Sequence, residues 1–193
     1  MGSADDTRAA ILDAALAEFA AHGLAGARVE RIATASGFNK NLIYVYFGSK
    51  EALFKTVIRR NSERIAAELP FTPEDLPGYA ARAFDFAMAN PDSLRLVGWF
   101  ALENQAGEPE ERSVYMSSQK QLVQDAQADG KVSAAFSPGF LMTAVLALAA
   151  GWSAASPWGP AMDPHEPDTT SELRESIARA IGSLTDPNPA EPT

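Results

Sequence analysis

The sequence predicts an all-α protein of about nine helices, and three observations support this fold class. Apolar residues recur at helical spacing along the chain, whereas no segment shows the alternation of apolar and polar residues that is typical of a strand. Serine, proline and glycine stand where these periodic segments start and end. Residues 29–55 also have the layout of a helix-turn-helix, in which two short helical segments are joined at Gly37.

The composition is typical of a soluble globular protein. The 193 residues are 46% hydrophobic, which is enough to bury a core. There is no cysteine, and the two histidines are His22 and His165, so neither a disulfide framework nor a metal site is expected. The longest apolar run, residues 140–152, is shorter than the roughly 20 residues of a membrane span, and the acidic start of the chain is unlike a secretory signal. We therefore expect a cytoplasmic protein without a metal or other cofactor.

The net charge of −9 is distributed unevenly along the chain. Residues 1–60 contain eight Lys and Arg against six Asp and Glu, a balance of +2, whereas residues 61–193 contain eight against nineteen, a balance of −11. This asymmetry favours a small DNA-facing head on an acidic body that avoids phosphates. The alternative is chance clustering of charge in an acidic protein.

Four helices are predicted in the first third of the chain. The first covers residues 6–22, carries one apolar face and stops at Gly23. Residues 29–36 and 40–47 form the two short helices of the helix-turn-helix. Ser49 then caps a long fourth helix that continues to about residue 69.

Five further helices are predicted after Pro70, each from a local start signal. Thr72 and Pro73 open the segment that runs to residue 89. Asn90-Pro91 opens a segment that is apolar on more than one side and is therefore expected in the middle of a bundle. Glu108-Pro109 opens the next helix, which Gly130 stops. Ser137-Pro138 opens the helix at residues 138–154. A capping box of Thr169 and Glu172 marks the last helix, at residues 168–184. Residues 156–167 are predicted to be an irregular loop, and residues 186–193 a disordered tail.

The second short helix has the side chains that a recognition helix needs at its first turn. Asn39, Lys40 and Asn41 are polar, and Lys40 can reach a guanine or a phosphate while Asn41 can pair with an adenine edge. Leu42 offers an apolar contact, for example to a thymine methyl group, and phosphate contacts are expected from Tyr44, Tyr46 and Lys50. The alternative is a polar surface turn between two core helices, in which Tyr46 and Phe47 belong to the core.

Two segments carry a resemblance to a known family. ILDAALAEFAAHG (residues 11–23) and RIATASGFNKNLIYVYFGSKEALF (residues 31–54) closely resemble the amino-terminal head of the tetracycline-repressor (TetR/AcrR) family of transcriptional regulators. The resemblance implies a set of groove-facing residues, namely Lys40, Asn41, Leu42, Tyr44, Val45 and Tyr46, and a phosphate contact from Lys50. The chain departs from the family pattern at Ala27, where many members have a threonine that caps the second helix and touches phosphate. Arg28 is expected to hold the backbone there instead and is counted among the DNA-binding residues. It also departs at Asn41, where many members have a smaller residue.

The same resemblance implies a two-part protein. Residues 1–48 would be the helix-turn-helix DNA-binding domain, 49–69 a connecting helix and 70–185 a ligand-binding and dimerisation domain. The helices at 138–154 and 168–184 would pair with a second copy as a four-helix bundle, and Gly139, Ala147 and Gly151 would allow close approach. The alternative is that both helices cover only their own core.

Within the second domain, aromatic and methionine side chains are candidates for an apolar ligand pocket, with a few polar groups to orient the ligand. The candidates are Phe84, Phe86, Met88, Trp99, Phe100, Tyr115, Met116 and Trp152, with Glu103, Asn104 or Gln119 as the polar group. The alternative is that they are ordinary core residues.

The sequence therefore predicts a dimeric, ligand-responsive transcriptional repressor that binds a palindromic operator in double-stranded DNA and is released by a small molecule. One alternative is a helical small-molecule-binding or scaffold protein that does not use its helix-turn-helix. An enzyme is not expected, because the histidines are isolated, cysteine is absent and no glycine loop could cradle a phosphate.

Overall fold

The computed structural model describes residues 4–103, 110–162 and 169–188, and all regular structure in these ranges is helical. The fold is all-α, as the sequence predicted. The ten helices are α1 (Ala4–Gly26), α2 (Val29–Ser36), α3 (Lys40–Phe47), α4 (Lys50–Glu68), α5 (Leu76–Ala89), α6 (Pro91–Glu103), α7 (Glu110–Ala128), α8 (Pro138–Ala150), α9 (Gly159–Met162) and α10 (Thr169–Thr185). The short helix α9 lies in the segment that was predicted to be irregular.

The chain forms two compact units. The first consists of Met1–Ile65 with Asn90–Gly107, and the second of Ala66–Ala89 with Glu108–Thr193. This division differs from the predicted boundary at residue 70, because α6 belongs to the first unit. Two contacts explain the difference: Trp99 Nε1 donates a hydrogen bond to the Ala20 carbonyl at 3.2 Å, and the Glu103 carboxylate accepts one from the Leu24 amide at 2.7 Å.

Those two contacts depend on a break in α1 at Gly23. This residue has a φ of 64°, a left-handed value that glycine adopts without strain, and it lies at the predicted stop of the first helix. The Ala25 amide also donates to the Glu103 carboxylate at 3.3 Å. Glu103 therefore satisfies backbone donors next to the break.

The core of the first unit is built on the apolar face of α1. Ile11, Ala15 and Phe19 are fully buried, and the Phe19 ring meets the ring of Phe54 edge to face, with centroids 5.0 Å apart. The ring centroid of Phe100 lies 6.5 Å from that of Phe54 in the same core. By length and composition α1 could also cross a membrane, but its apolar side chains form this core.

The second unit is a helical bundle in which α5 packs against α8 and α10. Phe84 of α5, Val145 of α8 and Ile181 of α10 are fully buried at its centre. The inward face of α7 carries Val123 and Gln119, which are both buried.

Besides α1, which runs from Ala4 to Gly26 across its break, two helix boundaries differ from the prediction. Helix α5 begins at Leu76 rather than near Pro73, because Asp75 is its cap: the Asp75 carboxylate accepts a hydrogen bond from the Gly78 amide at 2.8 Å. Helix α8 starts at the predicted Ser137 cap but ends at Ala150 rather than at residue 154. Several predictions lie outside the described residues: the start at Glu108-Pro109, Asn104, His165, the Thr169 side chain of the capping box and residues 189–193 of the tail.

Candidate nucleic-acid interface

The turn between α2 and α3 is held by backbone geometry and one side-chain cap. Gly37 has φ 76° and ψ 12°, a left-handed conformation that an L side chain rarely adopts. The next amide, that of Phe38, donates to the Ala33 carbonyl at 3.2 Å. Asn39 then caps α3 by accepting a hydrogen bond from the Leu42 amide at 2.8 Å.

One face of α3 is buried and the other is exposed. Ile43 and Phe47 lie in the core of the first unit and fix the rotation of the helix. The opposite face is exposed to solvent, and Val45 retains 79% of its accessible surface. The exposed residues are Asn39, Lys40, Asn41, Tyr44 and Val45, whereas Leu42 and Tyr46 are half-buried. The structure thus places most of the predicted groove-facing side chains on one surface, while Tyr46 also packs against the core.

Lys40 forms an ion pair that was not predicted. Its Nζ lies 2.6 Å from Glu30 Oε1, and the same ammonium lies 5.7 Å from the centroid of the Tyr44 ring. The hydrogen bond from Lys40 lowers the pKa of Glu30, and the hydrogen bond to Glu30 raises the pKa of Lys40. The two residues are ten positions apart, so helical spacing gives no sign of the pair.

Ser49 and Lys50 form the start of α4. The Ser49 hydroxyl accepts a hydrogen bond from the Ala52 amide at 3.1 Å, which confirms the predicted cap. Lys50 Nζ donates to the Ala27 carbonyl at 3.2 Å. Because an ammonium has three donors, this bond leaves Lys50 able to contact an anion as well.

The start of α2 is held by Glu18, a contact that the sequence does not predict. Glu18 Oε1 accepts hydrogen bonds from the Arg28 amide at 2.8 Å and from Arg31 Nε at 2.9 Å. Burial raises the pKa of Glu18, but the bonds from Arg31 and from the Arg28 amide outweigh this and lower it overall. The Arg28 side chain gives α2 no capping bond, so only its main chain takes part in holding the backbone there.

These residues surround a concave surface, which we call the α2–α4 cleft. Its volume is about 430 Å³, and the first turns of α2 and α4 both open onto it. The positive ends of two helix dipoles open onto it, and three cationic side chains outnumber the two carboxylates of Glu30 and Glu51, so the balance favours phosphate. The lining residues are Ala27, Arg28, Val29, Glu30, Lys40, Tyr44, Ser49, Lys50 and Glu51.

The residues predicted to line a ligand pocket fall into two groups. Trp99, Phe100 and Glu103 belong to the first unit, where they hold α6 against α1 and Phe54. The others belong to the second unit. There Phe84 is fully buried, Gln119 is buried, Phe86, Tyr115 and Trp152 are half-buried, and Met88 and Met116 are exposed. Across the described part of the chain, no three His, Asp or Glu side chains gather as a metal-binding group.

Gln119 is the unusual member of the second group. Its Oε1 atom is buried and accepts no hydrogen bond, which is costly for an amide oxygen in an apolar core. Tyr115 lies one turn before it on α7, and burial raises the pKa of the Tyr115 hydroxyl. Burial also raises the pKa of Tyr79, on α5, to about 12.

Two family models match the chain. Residues 11–57 match "Bacterial regulatory proteins, tetR family", and residues 75–182 match "Tetracyclin repressor-like, C-terminal domain". The HTH-type transcriptional repressor SCO4008 of Streptomyces coelicolor is 35% identical over 184 residues, which is 93% of this chain and 95% of that protein. The HTH-type transcriptional repressor NicS of Pseudomonas putida is 49% identical over 101 residues, which is 49% of this chain and 48% of NicS.

Solved structures share the fold. The crystal structure of SCO4942 from Streptomyces coelicolor has a TM-score of 0.81 at 33% identity, covering 94% of this chain and 99% of that one. AibR, solved in complex with isovaleryl coenzyme A and operator DNA, has a TM-score of 0.69 at 16% identity, covering 95% of this chain and 100% of its own. At that identity the likeness to AibR concerns the fold alone.

The capped α2–turn–α3 arrangement with its exposed polar face defines a helix-turn-helix transcription regulator. Both family models and the full-length relative agree with this class, as the resemblance in residues 11–54 had indicated. The chain belongs to the tetR family of bacterial regulatory proteins.

Proposed function

We propose that the protein is a cytoplasmic, dimeric repressor that binds a palindromic operator through α3 and leaves it when a small molecule binds the second unit. The observation that carries this proposal is the exposed first turn of α3, where Asn39, Lys40 and Asn41 face solvent while Ile43 and Phe47 anchor the helix. Relatives that are named as repressors support the direction of regulation.

On DNA, the exposed face of α3 would enter the major groove. Lys40 and Asn41 have the donors and acceptors that read guanine and adenine edges, and Val45 has an apolar surface suited to a thymine methyl group. The groups around the α2–α4 cleft would bind the sugar-phosphate backbone of the DNA. We assign phosphate contacts to Arg28, Lys50 and the Tyr44 hydroxyl, which line the cleft, and to the Tyr46 hydroxyl, which lies outside it.

The dimer interface is proposed on α8 and α10, within residues 138–154 and 168–184. Helix α8 carries no charged residue, yet Phe140 and Leu146 stay 50% and 38% exposed in the single chain. The rings of Phe136 and Phe140 stack with centroids 5.0 Å apart and enlarge this apolar surface. A second copy would cover it, since twofold dimers are the commonest oligomers and their interfaces are apolar at the centre.

The effector site is proposed in the second unit. The second unit contains the unpartnered Gln119 oxygen, the half-buried Tyr115 side chain and the apolar side chains of Phe84 and Trp152, which are the kinds of group that suit a mostly apolar ligand. The ligand would bind best to a dimer in which the spacing of the two α3 helices does not match successive major grooves. Such a ligand would shift the population away from the DNA-binding state. By linkage, operator DNA must weaken the binding of that ligand by the same factor.

Selection of genomic fragments that bind the purified protein tests the proposal. We expect a short twofold-symmetric sequence to be enriched, and a gel shift to favour it over a scrambled duplex of equal length. Compounds that release the fragment would then identify the effector. Fragments without a common sequence would indicate instead a helical protein that does not use its helix-turn-helix.

Lys50→Ala should weaken binding to all DNA sequences alike. Loss of one phosphate contact lowers the slope of log K against log salt by about one, since each neutralised phosphate releases counterions. Binding isotherms on operator and random duplexes at several salt concentrations measure this. Lys55→Ala is the control, because Lys55 is exposed on α4 but does not line the cleft. An unchanged slope for Lys50→Ala would remove it from the contact set.

Asn41→Ala should change the base preference at one position of each half-site. The amide is exposed on α3, so truncation removes base contacts without disturbing the core. Repeating the selection with the variant should relax one symmetric pair of positions, with a loss of about 1–3 kcal/mol on the original operator. An equal loss on all sequences would mean that Asn41 reads no base.

Gln119→Met should raise the midpoint of urea unfolding. Methionine has a similar volume and removes the buried oxygen that lacks a partner, an arrangement that costs about 1–3 kcal/mol. Gln121→Met on the same helix is the control, because Gln121 is exposed and its amide donates to Asp125 at 2.9 Å. A lower midpoint for Gln119→Met would mean that Gln119 supports the fold rather than a ligand.

A further inference from the structure

The ion pair between Glu30 and Lys40 lies in the surface proposed to meet DNA. Glu30 is in the first turn of α2, Lys40 is in the first turn of α3, and their charged atoms are 2.6 Å apart. Both side chains are substantially exposed, at 65% and 45%. The pair therefore stands at the surface, where either group can reach another partner.

The other charges at this surface are of both signs. Arg28 and Lys50 line the cleft with the pair, and so does the carboxylate of Glu51. Glu51 is held differently, because its hydrogen bonds run to its own backbone amide and to Ser49. Of the two carboxylates in the cleft, Glu30 is thus the one that bonds the cation expected to read bases.

A lysine beside DNA has two kinds of acceptor within reach. A phosphate oxygen attracts it equally on every sequence, whereas guanine N7 and O6 attract it only where the base is present. An unpaired lysine ammonium on its flexible side chain would bind a phosphate wherever no guanine faces it. The affinity for unrelated DNA would then rise. A carboxylate fixed beside it disfavours that exchange, because it holds the ammonium and repels an approaching phosphate.

We infer that Glu30 is a specificity-determining residue that keeps Lys40 from binding phosphates, so that Lys40 adds affinity only where a guanine faces it. This inference rests on the proposed DNA-binding function. On operator DNA, Lys40 can donate to the base and still donate to Glu30, since an ammonium has three donors. On other DNA, it stays paired within the protein.

Glu30→Gln tests the inference. The variant should bind a random duplex roughly fivefold more tightly, with a salt slope steeper by about one, because Lys40 is then available to a phosphate. Its affinity for the selected operator should rise only as much as loss of one carboxylate gives in the Glu51→Gln control below, so the ratio of operator affinity to random-duplex affinity falls by up to about fivefold. Both side chains are exposed, and the unfolding midpoint should stay near that of the wild type.

Glu51→Gln is the matched control for charge. It removes one carboxylate from the same cleft without touching Lys40, so it should tighten binding to operator and random DNA by equal factors. The inference would be overturned if Glu51→Gln lowered the ratio of operator affinity to random-duplex affinity as much as Glu30→Gln does. The effect would then come from the loss of any negative charge in the cleft.

A double-mutant cycle with Lys40→Met isolates the pair. In the Lys40→Met background, Glu30→Gln should leave the operator-to-random ratio unchanged. A ratio that falls there too, or one that does not fall in the single variant, would contradict the inference while leaving operator binding in place. A wild-type protein that does not discriminate between the two duplexes would instead contradict the proposed function itself.

Discussion

Leu146→Glu is expected to make the protein monomeric and to weaken operator binding by roughly a hundredfold or more, since an unpaired charge buried in an interface costs several kcal/mol. Leu146 is 38% exposed on the uncharged helix α8, beside Ala147 and about one and two-thirds turns after Phe140. In a twofold dimer the glutamate would enter the interface from both copies. A single head would then bind a half-site alone and lose the avidity of the pair.

Sedimentation velocity and a gel shift on the same samples measure the two effects. Leu122→Glu is the matched control, because it introduces the same charge at a leucine that is 45% exposed on α7, outside the proposed interface. The control should remain dimeric and bind the operator normally. A Leu146→Glu protein that stays dimeric would show that α8 covers only its own core and that the copies meet elsewhere.

Phe19→Ala is expected to destabilise the first unit by about 3–5 kcal/mol, the cost of truncating a buried phenylalanine. Phe19 is fully buried and its ring meets Phe54 edge to face at 5.0 Å. Such a loss is a large fraction of the stability of an ordinary domain. The second unit has its own core around Phe84 and Ile181, so the dimer should persist after DNA binding is lost.

Urea unfolding followed by circular dichroism, with a gel shift and sedimentation on the folded fraction, measures this. Leu102→Ala is the control in the same unit, because Leu102 is 75% exposed, and it should change stability by less than about 0.5 kcal/mol. If Phe19→Ala cost no more than the control, the core assigned to the first unit would be wrong.

Local signals allowed much of the DNA-binding head to be predicted. The bounds of α2 and α3 agree with the sequence because Gly37 and Asn39 determine the turn and the cap by their own chemistry. The exposed face of α3 followed from helical period, since Ile43 and Phe47 had to face the core. In contrast, Thr72 and Asp75 are both good caps, and sequence alone did not show that Asp75 bonds the Gly78 amide.

What the sequence did not predict depends on contacts between distant residues. Helix α6 belongs to the first unit through bonds from Trp99 to Ala20 and from Leu24 to Glu103, which join residues almost 80 positions apart. The pairs of Glu30 with Lys40 and of Glu18 with Arg31 link different helices. For the same reason, the sequence did not show that the candidate pocket residues divide between two cores, because an apolar stripe does not reveal which core it enters.

In the proposed complex, α3 of two copies reads base edges in successive major grooves. Methylation interference at guanine N7 on the selected operator tests it most directly, because N7 lies in the major groove. We expect interference in two symmetric clusters about 10 base pairs apart, or a multiple of that spacing, and we expect Lys40→Met to lose the signal at one guanine of each half-site. Binding that tolerates methylation at every guanine of the site, in the wild type and the variant alike, would contradict the claim.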